Sequence, residues 1–139
     1  MLRPVVKFVH PDEASKRFLP LLRRRVDQYF KENHLSKHWN ATLVAKTIIL
    51  LTAYLLPFIL LLTLKPGWPV ELLLWSIMGA AMAGVGMSVM HDANHGAYSS
   101  NSKVNFWLGH TLILLGGSVL NWKLQHNVLH HTYTNIVHM

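Results

Sequence analysis

The stretch Thr47 to Leu64, TIILLTAYLLPFILLLTL, carries no charged side chain, and a lysine stands at each of its ends. As a helix it would reach about 27 Å, close to the ~30 Å thickness of a bilayer's hydrocarbon core. A second apolar run extends from Leu72 to Met90, and the segment KPGWP at 65–69 has the proline and glycine of a tight turn. The two runs therefore predict a transmembrane hairpin with helices at 47–64 and 72–90.

The composition agrees with a membrane protein, because 51% of the residues are hydrophobic and only 14% are charged. The chain has no cysteine, which excludes disulfides and thiolate metal sites. Ten of its thirteen lysines and arginines fall in the first 46 positions. Basic charge beside an apolar run predicts binding to anionic lipid headgroups rather than to nucleic acid. By the positive-inside rule it also places the N-terminus in the cytoplasm.

Residues 1–45 form a basic segment that we expect to be cytoplasmic or interfacial. Between 12 and 34, apolar residues such as Phe18, Leu22 and Val26 recur at helical spacing, with basic residues between them. This pattern predicts an amphipathic helix lying on the bilayer, with Pro20 bending or interrupting it. The alternative is a solvated helix that packs on the same protein.

Histidines are concentrated in two short stretches, MHDANHGAYS at 90–99 and LQHNVLHHTY at 124–133. Residues four apart share one face of a helix, so each stretch presents a pair of imidazoles on one side. Neutral imidazole is the commonest protein ligand for metals such as zinc, copper and iron. The predicted metal ligands are His91, His95, His126, His130 and His131. Asp92, the sequence neighbour of His91, is expected to fix the tautomer of the His91 imidazole without itself binding the metal.

Four of the remaining histidines are interpreted as structural residues: His10, His34, His38 and His110. The role of His138, seven residues after the second group, is left open, with a structural role favoured.

The apolar run at 104–120 decides whether the two histidine groups can meet. If it crossed the membrane, the groups would lie on opposite faces and could not share a metal. We therefore expect a re-entrant or interfacial segment. The predicted fold class is an all-α integral membrane protein: a transmembrane helix hairpin with a cytoplasmic histidine-rich helical cap, plus this apolar helix.

The two histidine stretches also resemble those of a known family. HDANHGAYS at 91–99, followed by WKLQHNVLHHTYTN at 122–135, is similar to the first two histidine boxes of the membrane fatty acid desaturases. The similarity is to the front-end type acting on acyl-lipids or acyl-CoA, the group that includes linoleoyl-CoA desaturases. It covers residues 46–139, with boxes at 91–95 and 126–131.

The resemblance implies an O₂-dependent enzyme of lipid metabolism that introduces a double bond into an acyl chain at a diiron centre. It implies the five histidines above as iron ligands and an acyl-CoA or acyl-lipid as substrate. The family's third histidine box is missing from residues 46–139, so the chain is expected to be the N-terminal part of such a domain, and activity of this part alone is in question. His10 and Pro11 are not followed by the two glycines of a fused haem domain. A separate electron donor is therefore implied, either a ferredoxin or a small haem cytochrome with its reductase, and the location is expected to be a bacterial inner membrane.

Three alternatives stay open at the level of sequence. A hydroxylase or ketolase of the same superfamily would use the same boxes. A non-catalytic membrane fragment would bind zinc or no metal. A zinc protease is disfavoured because Asp92 stands where the H-E-x-x-H motif has its glutamate base.

Overall fold

The computed structural model describes residues 12–134, and all regular structure within them is helical. The chain divides into two compact units, residues 1–37 and 38–139. The first contains helix α1, Glu13–Glu32, which starts where the Asp12 carboxylate accepts a 2.6 Å hydrogen bond from the Ser15 amide. Of the two expected effects of Pro20, a bend or an interruption, the interruption does not occur, because α1 continues through Pro20.

The second unit begins with the predicted hairpin. Helix α2, Ala41–Leu64, is capped by Asn40, whose side chain accepts from the Leu43 amide at 2.8 Å. It ends at Lys65, which adopts a left-handed conformation with φ of 44°. Helix α3 then runs over Trp68–Asn94. Both helices extend further than the apolar runs alone predict.

Two helices of the described residues, α2 and α3, are long and apolar enough to cross a membrane. Their outward side chains stay exposed: Ile49 and Leu62 on α2 are each 65% accessible, and Leu72 on α3 is 61% accessible. A core helix of a soluble protein would bury such residues. Together these features indicate a membrane protein.

The two long helices approach closely at Gly84 on α3. A Cβ placed there would lie 2.5 Å from Leu50 Cδ2 on α2, so any larger residue would require the Leu50 side chain to move. Ala80 and Gly84 form a small-xxx-small pair, a pattern that lets helices approach closely, and Gly84 lies at such an approach.

Shorter helices complete the second unit. Helix α4, Ser102–Gly109, continues into a 3₁₀ turn, His110–Leu115, and stops at Gly116 with φ of 80°. Helix α5 occupies residues 119–133, starting from a cap by Ser118. The apolar run at 104–120 is therefore broken and is not one continuous helix.

The core lies where the second half of α3 meets these shorter helices. Val85 and Val89 are 1% and 0% accessible, and Leu112 of the 3₁₀ turn is 8% accessible. A buried hydrogen bond of 2.8 Å between the hydroxyls of Thr47 and Tyr98 ties α2 to the loop that follows α3. The packing holds the C-terminal end of α3 in place beside α5.

Candidate metal centre

The end of α3 positions the first histidine pair. His91 lies on the last helical turn and His95 caps it, with the His95 amide bonded to the His91 carbonyl at 3.0 Å. Their ring centroids are 4.6 Å apart. The expectation that these two residues share a face is confirmed.

The second histidine group lies on a π-helical stretch of α5, Lys123–His130. In such a helix hydrogen bonds join residues five apart, so residues five apart come to the same side. His126 Nε2 accordingly lies 3.2 Å from His131 Nε2. His130 stacks on His126 with a centroid separation of 5.3 Å. The sequence predicted only the spacing of four.

The two groups meet in space. His91 Nε2 lies 3.2 Å from His126 Nε2, although 35 positions separate them in the chain. The ring nitrogens of His91, His95 and His126 all lie within 4.8 Å of one another, close enough to bind one metal ion. His131 approaches the same group, with its ring centroid 4.9 Å from that of His95. We call His91, His95, His126 and His131 the histidine cluster.

Asp92 contacts the back of the cluster. Its Oδ1 lies 3.1 Å from Nδ1 of His91, on the side of the ring opposite to His126. A proton held on Nδ1 by this carboxylate leaves the lone pair of Nε2 directed toward the other imidazoles.

The surroundings of His95 and His126 favour the neutral forms of these two rings. Burial lowers the pKa of His95 below its ordinary value, and the nearby His91 and His131 lower it further. Burial and the neighbouring imidazoles likewise lower the pKa of His126. Because protonation is shifted to lower pH, both rings are neutral at neutral pH, which is the form that binds metals.

Trp122 covers the cluster and was not identified as a site residue from the sequence. Its ring stacks on His126 at a centroid distance of 4.3 Å and meets the edges of His91 and His95 at 5.7 and 5.5 Å. The only signal in the sequence is its position four residues before His126. A tryptophan there restricts the orientations of three rings at once.

Two asparagines brace the helices that carry the histidines. The buried Asn94 side chain donates to the Gly109 carbonyl on α4 at 3.1 Å. Asn127 of α5 donates to the Asn94 carbonyl at 3.2 Å. These bonds join α3, α4 and α5 just behind the cluster.

Two of the other histidines contact backbone carbonyls outside the cluster. His38 lies 3.3 Å from the Ala97 carbonyl, and His110 lies 2.7 Å from the Phe106 carbonyl. His10 and His138 fall outside the described residues.

The donor set fits a non-haem metal site. Neutral imidazole nitrogens with a supporting carboxylate suit iron, and they also suit zinc, copper and nickel. The geometry thus defines a class: a helical membrane protein with a histidine cluster that could bind a metal ion at the end of its second long helix.

Comparison with known sequences narrows the class. Residues 66–138 match the profile of the fatty acid desaturase family. The chain is 40% identical over 120 residues to the sn-1 linoleoyl-lipid 6-desaturase of Synechocystis sp., covering 86% of this chain and 33% of that protein. It is 38% identical to the sn-1 linoleoyl-lipid 6-desaturase of Arthrospira platensis, covering 84% of this chain and 32% of that protein. It is 31% identical to the acyl-lipid (8-3)-desaturase of Physcomitrium patens, covering 91% of this chain and 26% of that protein.

The chain belongs to the fatty acid desaturase family, because the match to the profile extends over more than half of its length. It spans about a third of the length of the two 6-desaturases and less of the third relative. No solved structure is significantly similar to it.

Proposed function

We propose that this chain carries iron-ligating histidines of an O₂-dependent membrane acyl desaturase. The observation that carries the proposal is the meeting of His91, His95 and His126 within 4.8 Å in a chain of the fatty acid desaturase family. His130 and His131 complete the proposed ligand set, and Asp92 orients His91. The relatives' names specify acyl-lipid substrates, which supports an acyl-lipid rather than a free fatty acid.

A pair of non-haem irons, when bound, supplies the oxidation of two adjacent methylenes to a double bond. Two electrons come from the acyl chain and two from an external donor, and O₂ is reduced to two water molecules. The protein's part is to hold neutral imidazoles in a fixed array. Asp92 keeps the proton of His91 on Nδ1, and Trp122 restricts the orientations of the rings.

The contact between His91 and His126 also bears on which side of the membrane the site faces. Since the two histidine groups touch, we propose that the segment between them returns to the same side of the membrane. The break after the 3₁₀ turn at Gly116 supports a re-entrant or interfacial path for residues 102–118. The basic residues ahead of α2 support a cytoplasmic location for this side.

A cavity beside α2 is proposed to receive the acyl chain. Its volume is about 670 Å³, within the range of ~300–1,000 Å³ of small-molecule sites. The wall is mainly apolar and includes Val44 of α2 and Trp107 of α4. Tyr98 also lines it, only three positions beyond His95. Lys103 lines the same cavity and would attract a phosphate of the lipid or CoA head.

Product analysis tests the proposed reaction. Cells that express the chain together with an electron donor are compared with cells that express a variant lacking His91 and His126. We expect an acyl product lighter by two hydrogens, found only with the natural sequence. A product heavier by one oxygen would show hydroxylation in place of desaturation, and identical lipids from both cells would show that this polypeptide alone does not desaturate an acyl chain.

Removing the Asp92 carboxylate should weaken metal binding. We expect Asp92→Ala to lower the affinity for Fe(II) about 10–100-fold, the usual effect of losing a group that orients a histidine ligand. The affinity is measured by anaerobic competition titration against a chromogenic chelator. Asp27→Ala, which removes a carboxylate on α1, is the control and should bind as the natural chain does. An unchanged affinity in Asp92→Ala would contradict the orienting role.

Filling the cavity should reduce acyl binding. Val44→Trp adds an indole to the wall, and we expect at least about a tenfold loss of affinity for a fluorescent acyl-lipid, equivalent to ~1.4 kcal/mol. Ala45→Trp adds the same group at the exposed neighbouring position outside the wall and should have little effect. Equal losses in the two variants would place the acyl chain elsewhere.

A further inference from the structure

Helix α1 takes no part in the metal site and presents a sharply divided surface. At about 100° per residue, all but one of its larger apolar side chains fall within an arc of about 120°, and Leu21 lies about 60° beyond the edge marked by Phe18. The side chains within this arc, called the apolar arc, are Phe18, Leu19, Leu22, Val26, Tyr29 and Phe30. No residue of α1 is buried, and Phe18 and Tyr29 are 61% and 56% accessible. Among residues 12–134, none covers this arc.

Cations border the apolar arc on both sides. Arg23 lies just outside one edge of the arc, and Arg25 lies just outside the other edge. Arg17 and Arg24 lie on the opposite face of the helix. The helix holds six basic and three acidic side chains. Arginines at the edges of an apolar face can extend their guanidinium groups to the phosphate level while their stems cover apolar surface.

The arginines are not neutralised by the protein itself. Within residues 12–134, the ion pairs of this unit join Lys16 to Glu13 and Lys37 to Asp27. Both pairs use lysines, and no carboxylate of the described chain pairs with an arginine of α1. The arginines therefore keep their charge for an external anion.

The position of Pro20 is consistent with a helix α1 that faces water on one side only. A proline has no amide hydrogen, so the Lys16 carbonyl loses its helical partner. Both residues lie on the side of α1 away from the apolar arc. Water can hydrogen-bond the free carbonyl there, whereas within the arc it would be left unpaired in an apolar layer.

We propose that α1 lies flat on a membrane surface, with its apolar arc in the boundary between headgroups and acyl chains and its arginines on anionic lipid phosphates. The chain itself brings a bilayer within reach. Residues 33–40 separate α1 from α2, and such a linker spans at most about 29 Å. The apolar, positively bordered face fits an anionic bilayer better than an uncharged one.

The absence of cysteine permits a direct test in the full chain. Single variants Leu22→Cys, in the apolar arc, and Arg24→Cys, on the opposite face, are labelled with a nitroxide and reconstituted into vesicles. Phosphatidylcholine vesicles with and without phosphatidylglycerol are compared. Val26→Cys and Gln28→Cys form a second pair that guards against a local folding defect.

We expect the labels at positions 22 and 26 to collide more with O₂ than with an aqueous nickel chelate, and the labels at 24 and 28 to do the reverse. Omitting phosphatidylglycerol should reduce this contrast. Replacing Arg23 by Gln should lower the surface-bound population about fivefold, as expected from ~1 kcal/mol per basic residue. Chelate access at all four positions would show a solvated helix, and no access of either reagent at 22 and 26 would show packing on protein. Either result would overturn the proposal, and a contrast independent of phosphatidylglycerol would overturn the recognition of anionic lipid.

Discussion

His126→Ala is expected to lower the affinity of the chain for Fe(II) by more than about 100-fold. His126 is the centre of the cluster, since its Nε2 lies 3.2 Å from Nε2 of both His91 and His131. Losing a group that merely orients a ligand costs up to about 100-fold, so losing a central ligand should cost more. The affinity is measured by anaerobic titration in detergent.

A matched histidine outside the cluster controls for general effects. The His110 ring contacts the Phe106 ring at a centroid distance of 4.1 Å, tilted by 38°, and His110 Nδ1 lies 2.7 Å from the Phe106 carbonyl. His110→Ala removes the same side chain and should bind Fe(II) like the natural sequence. Equal affinities of the His126→Ala and His110→Ala chains would show that the cluster is not the metal site.

Gly109→Ala is expected to destabilise the second unit by about 1–3 kcal/mol, the usual cost of overpacking a tight site. An added Cβ would lie 2.6 Å from Oδ1 of the buried Asn94 and 3.0 Å from its Cγ. If Asn94 moves away, it loses its 3.1 Å hydrogen bond to the Gly109 carbonyl. The brace behind the histidines would then loosen, so weaker metal binding should accompany a lower midpoint of thermal unfolding in detergent.

Gly79→Ala is the matched control, because a Cβ at Gly79 meets nothing within 4 Å. Gly79 lies inside α3, where alanine favours the helix by up to about 1 kcal/mol. The midpoint should therefore stay the same or rise. If Gly109→Ala proved as stable as Gly79→Ala, the tight contact between Gly109 and Asn94 would not matter to the fold.

The hairpin could be predicted from the sequence because a bilayer demands long charge-free helices. The residues at which the two helices begin and end could not be predicted, since helix ends depend on capping and packing rather than on hydropathy. Helix α2 starts at Ala41 because Asn40 caps it, and it includes Lys46. Helix α3 starts at Trp68 and incorporates Pro69, which is well tolerated in a first helical turn.

The histidines could be identified from their spacing, and so could the need for both groups to lie on one side. Which histidines contact each other could not be predicted, because a π-helical stretch looks like an ordinary helix in a sequence pattern. The π register on α5 places His131 rather than only His130 beside His126. Trp122 was missed for a related reason: its role arises from stacking on His126, which depends on the tertiary fold.

Metal content measured by elemental analysis tests the central claim, that the two histidine groups form one iron site. The chain is purified in detergent from iron-supplemented cells, beside a His91→Ala, His126→Ala double variant and the His110→Ala control. We predict stoichiometric iron in the natural chain and in the control, and little or none in the double variant. Iron retained by the double variant, or stoichiometric zinc in place of iron in the natural chain, would contradict the account.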